Sequence, residues 1–108
     1  MSANPFRPLG SPLNITVGAA SVAYPIPGKG MILLLSHLGT VPGEHVYYEF
    51  GSSAAVAVIP TFAGGASDNS LALPVGSIQT RYIPDGVTHI ALVAASDQFV
   101  SLETGDGD

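Results

Sequence analysis

The sequence predicts an all-β fold: a single-domain antiparallel β-sandwich, with the jelly roll as its eight-strand form and an extended arm at the N-terminus. Three observations carry this. Gly and Pro supply 13 and 9 of the 108 residues and break the chain at short intervals. No window of Ala, Leu, Glu or Lys recurs at helical spacing. Short runs with the period of two, or with continuous apolarity, alternate instead with turn residues.

Residues 1–12 carry Pro5, Pro8 and Pro12 around Phe6 and Leu9. Proline fixes φ and removes donors, so this stretch reads as an extended arm, with Phe6 and Leu9 as interface candidates docking on a neighbouring subunit. The sandwich is expected over 13–103. Leu13, Ile15 and Val17 alternate with Asn14 and Thr16 as in a half-buried strand, and 21–24 continues it after Gly18. A turn at 25–30 leads to Met31–Ser36, continuously apolar up to Ser36 and predicted to be a strand buried on both faces. After a turn at 39–43, Val46, Tyr48 and Phe50 alternate with His45, Tyr47 and Glu49. Ala54–Ile59 reads as a short apolar strand and 60–70 as the longest loop. Residues 70–73 follow as a short strand. In 77–83, Ile78, Thr80 and Tyr82 alternate with Gln79, Arg81 and Ile83. Pro84-Asp85-Gly86 is a turn, and 88–94 with 98–103 form a hairpin about Ser96-Asp97. Residues 104–108 are expected to be a flexible acidic tail.

Charge is the compositional outlier. Charged residues make up 10% of the chain, against roughly 25% in ordinary soluble domains, while 46% is hydrophobic. Such a chain is expected to sit against neighbours, as a homo-oligomer of dimeric or trimeric order. Three basic residues and a net charge of −5 give no positive stripe for phosphates, so no nucleic acid is expected as a partner. No apolar run approaches the ~20 residues that span a bilayer, so no membrane is expected either. Met1-Ser-Ala-Asn-Pro5 shows no basic region followed by an apolar core, so synthesis in the cytoplasm is expected. Cysteine is absent, which excludes disulfides and thiolate metal sites.

No catalytic residue is assigned. There is no Gly-x-Ser-x-Gly elbow, and Gly28-Lys29-Gly30 lacks the Lys-Ser/Thr ending of a phosphate loop. Pro84-Asp-Gly-Val-Thr-His89 resembles part of the second motif of the cupins, jelly rolls that bind a metal through His and Glu. His45, Glu49 and His89 would be the ligands here. The pattern departs at Tyr47, where a second histidine belongs, and at Val93, where an asparagine belongs. The expectation is therefore no metal and no cofactor. Tyr47, Tyr48 and Tyr82 are candidates for a sugar-stacking platform. Tyr47, out of phase with the apolar face, is the candidate for an exposed aromatic anchor at an interface.

The run Val46-Tyr-Tyr-Glu-Phe-Gly-Ser-Ser-Ala-Ala-Val-Ala57 is similar to a pattern in small tailed-phage virion proteins, where a strand ending in Phe-Gly meets Ser and small apolar residues. Leu73-Pro-Val-Gly76, Ile83-Pro-Asp-Gly-Val-Thr-His-Ile90 and Glu103-Thr-Gly-Asp-Gly107 extend the similarity over about residues 29–107. The resemblance implies a capsid decoration, or cement, protein. It would be a non-enzymatic virion component on the capsid surface, binding the major capsid protein and stabilising the phage head. A phage tail or head–tail component, and a small cupin-like metal- or sugar-binding protein, are the alternatives.

Overall fold

Nine strands form where β-branched, leucine and aromatic residues cluster, in a computed structural model that describes residues 7–8, 12–27, 31–39, 44–59 and 70–106. They are β1 (Arg7–Pro8), β2 (Leu13–Val17), β3 (Val22–Pro25), β4 (Ile32–His37), β5 (Val46–Gly51), β6 (Leu71–Leu73), β7 (Ile78–Tyr82), β8 (His89–Ala94) and β9 (Gln98–Asp106). Among the described residues there is no helix.

A five-stranded sheet runs β2-β9-β4-β7, with β1 also on β9, and a four-stranded sheet runs β3-β8-β5-β6. Every pairing is antiparallel. β2 pairs with β9, β3 with β8, β4 with β7 and β5 with β6. The chain is thus one long hairpin rolled over on itself, which is the jelly-roll order. Inward side chains of the two sheets meet in one core. Leu33, Leu35, Val100 and Leu102 come from the five-stranded sheet, and Val46, Tyr48, Ile90 and Leu92 from the four-stranded one.

Five expectations are corrected. The segments 88–94 and 98–103 form no hairpin: the turn at Ser96-Asp97 carries the chain from β8 in one sheet to β9 in the other. β4 is not buried on both faces: Leu33, Leu35 and His37 are buried, while Ile32, Leu34 and Ser36 are half-buried because no described layer covers their side. Residues 54–59 form no strand. They cross the outer face of the four-stranded sheet, and serine side chains satisfy their backbone: the Ala57 N–H donates to Ser21 Oγ at 2.9 Å and the Val58 N–H to Ser70 Oγ at 2.9 Å. Residues 104–106 belong to β9 rather than to a tail, held by pairing with β4 and β1. Thr104 is buried there and its hydroxyl donates to the Pro27 carbonyl at 2.6 Å. In the expected arm, Arg7 and Pro8 are extended but pair with Asp106 and Gly105 of their own chain. Phe6 and Leu9 lie outside the described residues, as do Gly107 and Asp108.

Candidate interaction surface

The two sheets treat their outer faces differently. On the four-stranded sheet, Tyr47, Glu49 and Gly51 stand opposite Val93, Ala91 and His89. The 54–59 segment lies over part of this face, packing Ala55 and Ala57 against Tyr47, Ala91 and Val93. Its approach is close because Gly51 carries no side chain: a Cβ there would stand 2.8 Å from the Ala55 Cβ. Tyr47 does point away from the main core, as the alternation predicts. It is only 8% exposed, however, because this segment covers it, so it is not an exposed anchor.

The tyrosines do not form a platform. Tyr47 and Tyr48 lie on opposite faces of one sheet, and Tyr82 lies on the other sheet. His45, Glu49 and His89 do not converge either. His45 accepts the Val75 N–H on Nδ1 at 3.2 Å and meets the Tyr47 ring edge-on at 6.5 Å. Four residues of extended chain put Glu49 about 13 Å further along. The His89 Nδ1 lies 2.8 Å from Thr88 Oγ1. Among the described residues no three of His, Asp and Glu come together as metal binding requires.

The outer face of the five-stranded sheet has no such cover among the described residues. The ladder registers place its side chains in rows. Tyr82 stands beside Ile32, Thr80 beside Leu34 and Glu103, and Ile78 beside Ser36, Ser101 and Asn14. Leu38, whose N–H donates to the Phe99 carbonyl at 2.9 Å, continues the last edge with Phe99 and Thr16. Exposure reaches 74% at Tyr82, 68% at Ile78, 57% at Leu38 and 50% at Phe99. Glu103 is the one charged side chain in these rows. A shallow groove of about 200 Å³, lined by Asn14, Ile15, Thr16, Leu38, Phe99 and Val100, opens at one end. It is below the roughly 300–1,000 Å³ of small-molecule sites, and suits one inserted side chain of a partner.

The orientation of β7 has a local cause. Tyr48, fully buried on β5, needs partners for its hydroxyl. It donates to Gln79 Oε1 at 2.7 Å and accepts from the Arg81 Nε–H at 2.9 Å. Gln79 also donates from Nε2 to the Ala72 carbonyl at 3.0 Å. Gln79 and Arg81 therefore turn toward the other sheet, and the period of two sends Ile78 and Tyr82 to the outside. The alternation in 77–83 was visible in the sequence, but not that its polar half faces inward.

A second polar cluster closes the end of the sandwich near Glu44. His37 and Gln98 are buried, and between them they hold the backbone of Glu44. The Gly39 N–H donates to His37 Nδ1 at 3.0 Å, so Nε2 carries the proton donated to the Glu44 carbonyl at 2.7 Å. Gln98 Oε1 accepts the Glu44 N–H at 3.1 Å, and its Nε2 donates to the Asp97 carbonyl at 2.8 Å. Sequence reading assigned neither residue. The available signal was phase: His37 follows Leu33 and Leu35 at spacing two, and Gln98 precedes Val100 and Leu102 in the same way. These groups fix the end of β4, just before Leu38, and the start of β9, which carries Phe99.

Comparison of this chain with protein-family models, with curated proteins and with solved structures finds no match.

Proposed function

We propose that this chain is a structural virion protein of the capsid decoration type, which self-associates and docks on the head of a tailed phage through the outer face of its five-stranded sheet. One observation carries the reading: that face exposes Ile78, Tyr82, Leu38 and Phe99 with a single acid, Glu103, among them. Large apolar side chains gathered on one uncovered face mark a protein-binding surface. Phe99 and Leu38, beside the groove, supply the anchor, and Glu103 asks for a cation on the partner. The low overall charge supports the same reading, as does the resemblance of the turn pattern to that of small phage virion proteins. The chemistry on this face is recognition, not turnover.

Cosedimentation with empty tailed-phage heads tests this. Wild-type protein is expected to pellet with heads and to saturate at a fixed number of copies per capsomer. The double variant Leu38→Ser/Phe99→Ser should keep its strand signature by circular dichroism and stay in the supernatant. Equal pelleting of both proteins would show that this face is not the docking surface, and no pelleting of either would remove the head-binding reading.

A further inference from the structure

We infer that the free edge of β7 pairs with β7 of a second copy, antiparallel about a two-fold axis at Thr80, to make one continuous ten-stranded sheet. This deepens the self-association in the proposed function and rests on that part of it.

The edge is open and its backbone is ordered for pairing. The His37 N–H donates to the Ser77 carbonyl, and the Ile83 N–H to the Met31 carbonyl, both at 2.9 Å. Odd-numbered residues of this segment therefore face β4. In an antiparallel ladder the even-numbered ones turn the other way. The N–H and C=O of Ile78, Thr80 and Tyr82 thus point to the free side, with no described strand beyond them.

Natural edges are blunted by proline, by shortness or by charge. Three of the other edges are so protected: β1 contains Pro8, β3 ends in Pro25, and β6 has three residues, while β2 lacks these devices and shows only polar Asn14 and Thr16 outward. β7 has five residues, no proline, and apolar side chains at both ends of its outer row. Its one charge, Arg81, faces the other sheet and Tyr48.

The sequence of β7 selects a copy of itself as the occupant. With Thr80 on the axis, Thr80 faces the partner's Thr80, and Ile78 faces the partner's Tyr82, twice over. Thr–Thr and aromatic–β-branched pairs are favourable cross-strand combinations. Charge fits as well: Arg81 falls opposite the partner's Gln79, a neutral acceptor, so no like charges stand directly opposed. The two-fold keeps both uncovered apolar faces on one side, so a pair presents one doubled surface. A five-residue strand pair buries less than the roughly 1,200–2,000 Å² of stable interfaces, so the free dimer is weak and concentration-dependent, and strengthens where a lattice holds the copies together.

The chain contains no cysteine, which makes the register directly testable. Opposed residues of a hydrogen-bonded pair have Cα atoms about 5.5 Å apart and Cβ atoms at roughly 5–5.5 Å, too wide for an unstrained disulfide but within reach of a short bifunctional thiol reagent. Thr80→Cys in the full chain should convert most of the protein to a covalent dimer on treatment with such a short bifunctional thiol reagent. Ile78→Cys, which this register places about 13 Å from its counterpart, should stay largely monomeric. Circular dichroism checks that both are folded, and wild-type mass is followed by sedimentation velocity over a concentration series. Absence of the Thr80→Cys dimer, or equal cross-linking of both variants, overturns the edge pairing. If wild-type mass still rises with concentration in that case, self-association survives through another surface. A wild-type chain that stays monomeric throughout overturns the pairing as well, and cosedimentation then decides head binding on its own.

Discussion

At the residue scale, two side-chain positions decide which surfaces this molecule shows. Tyr48 places a hydroxyl inside an apolar core, and Gln79 and Arg81 satisfy it. Removing the oxygen leaves Gln79 Oε1 short of a donor. Tyr48→Phe is therefore expected to cost about 1–2 kcal/mol by chemical denaturation, with the sheet content unchanged. A cost near zero would mean that water serves Gln79 and Arg81 equally well. Gly51 is the second position. Gly51→Ala drives a methyl group to within 2.8 Å of the Ala55 Cβ, so it is expected to lift the 54–59 segment and to cost about 1–3 kcal/mol, as overpacking does. Increased amide exchange at Ala57 and Val58 would accompany it. Unchanged exchange there would show that the segment does not depend on the close approach. Neither position was legible as such in the sequence. Tyr48 lies in phase with Val46 and Phe50 and packs with them in the core, but periodicity carries no information about where its hydroxyl points. Gly51 carried no signal of its role, because a close contact four residues away is a tertiary fact.

At the element scale, strands with strict alternation were legible and strands with ambiguous periodicity were not. β2, β5 and β9 follow their hydrophobic phase, since one side of each meets the core. The apolar run that became β4 suggested burial on both sides, and only the absence of a covering layer left Ile32 and Leu34 half-exposed. Ala54–Ile59 was apolar enough for a strand. Its alanines instead let it lie flat on Tyr47, with Ser21 and Ser70 taking the place of ladder partners. β7 shows the limit most clearly. Its pattern has two equivalent phases, and a single buried hydroxyl on another strand chose between them. Surface substitutions away from such contacts move stability by less than about 0.5 kcal/mol. Tyr82→Ser, at a side chain 74% exposed, should therefore leave the melting temperature nearly unchanged while weakening concentration-dependent association. A large loss of stability would place Tyr82 inside the fold rather than at an interface.

At the scale of the whole molecule, the charge deficit becomes a difference between two sheet faces. One carries Tyr47 beneath the 54–59 segment, and the other presents Leu34, Leu38, Ile78, Tyr82 and Phe99 uncovered among the described residues. A jelly roll whose first long strand pairs with its last brings together β4, β7 and β9 from across the chain to build that open face. The fold class was readable from composition and turn spacing, but the roll was not: 88–94 and 98–103 read as a hairpin, whereas β8 and β9 lie in different sheets. Nor was the interaction face readable, because it exists only once β4, β7 and β9 are side by side.

Hydroxyl-radical footprinting of the protein, free and bound to empty tailed-phage heads, tests most directly whether this face is the one that docks. Phe99 and Leu38 should lose most of their oxidation on binding, Val56 and Val58 of the opposite segment should keep theirs, and buried Tyr48 should remain unreactive in both states. Full reactivity of Phe99 and Leu38 in the bound state, with protection moved to Val56 and Val58, would contradict the assignment of the five-stranded sheet as the docking face.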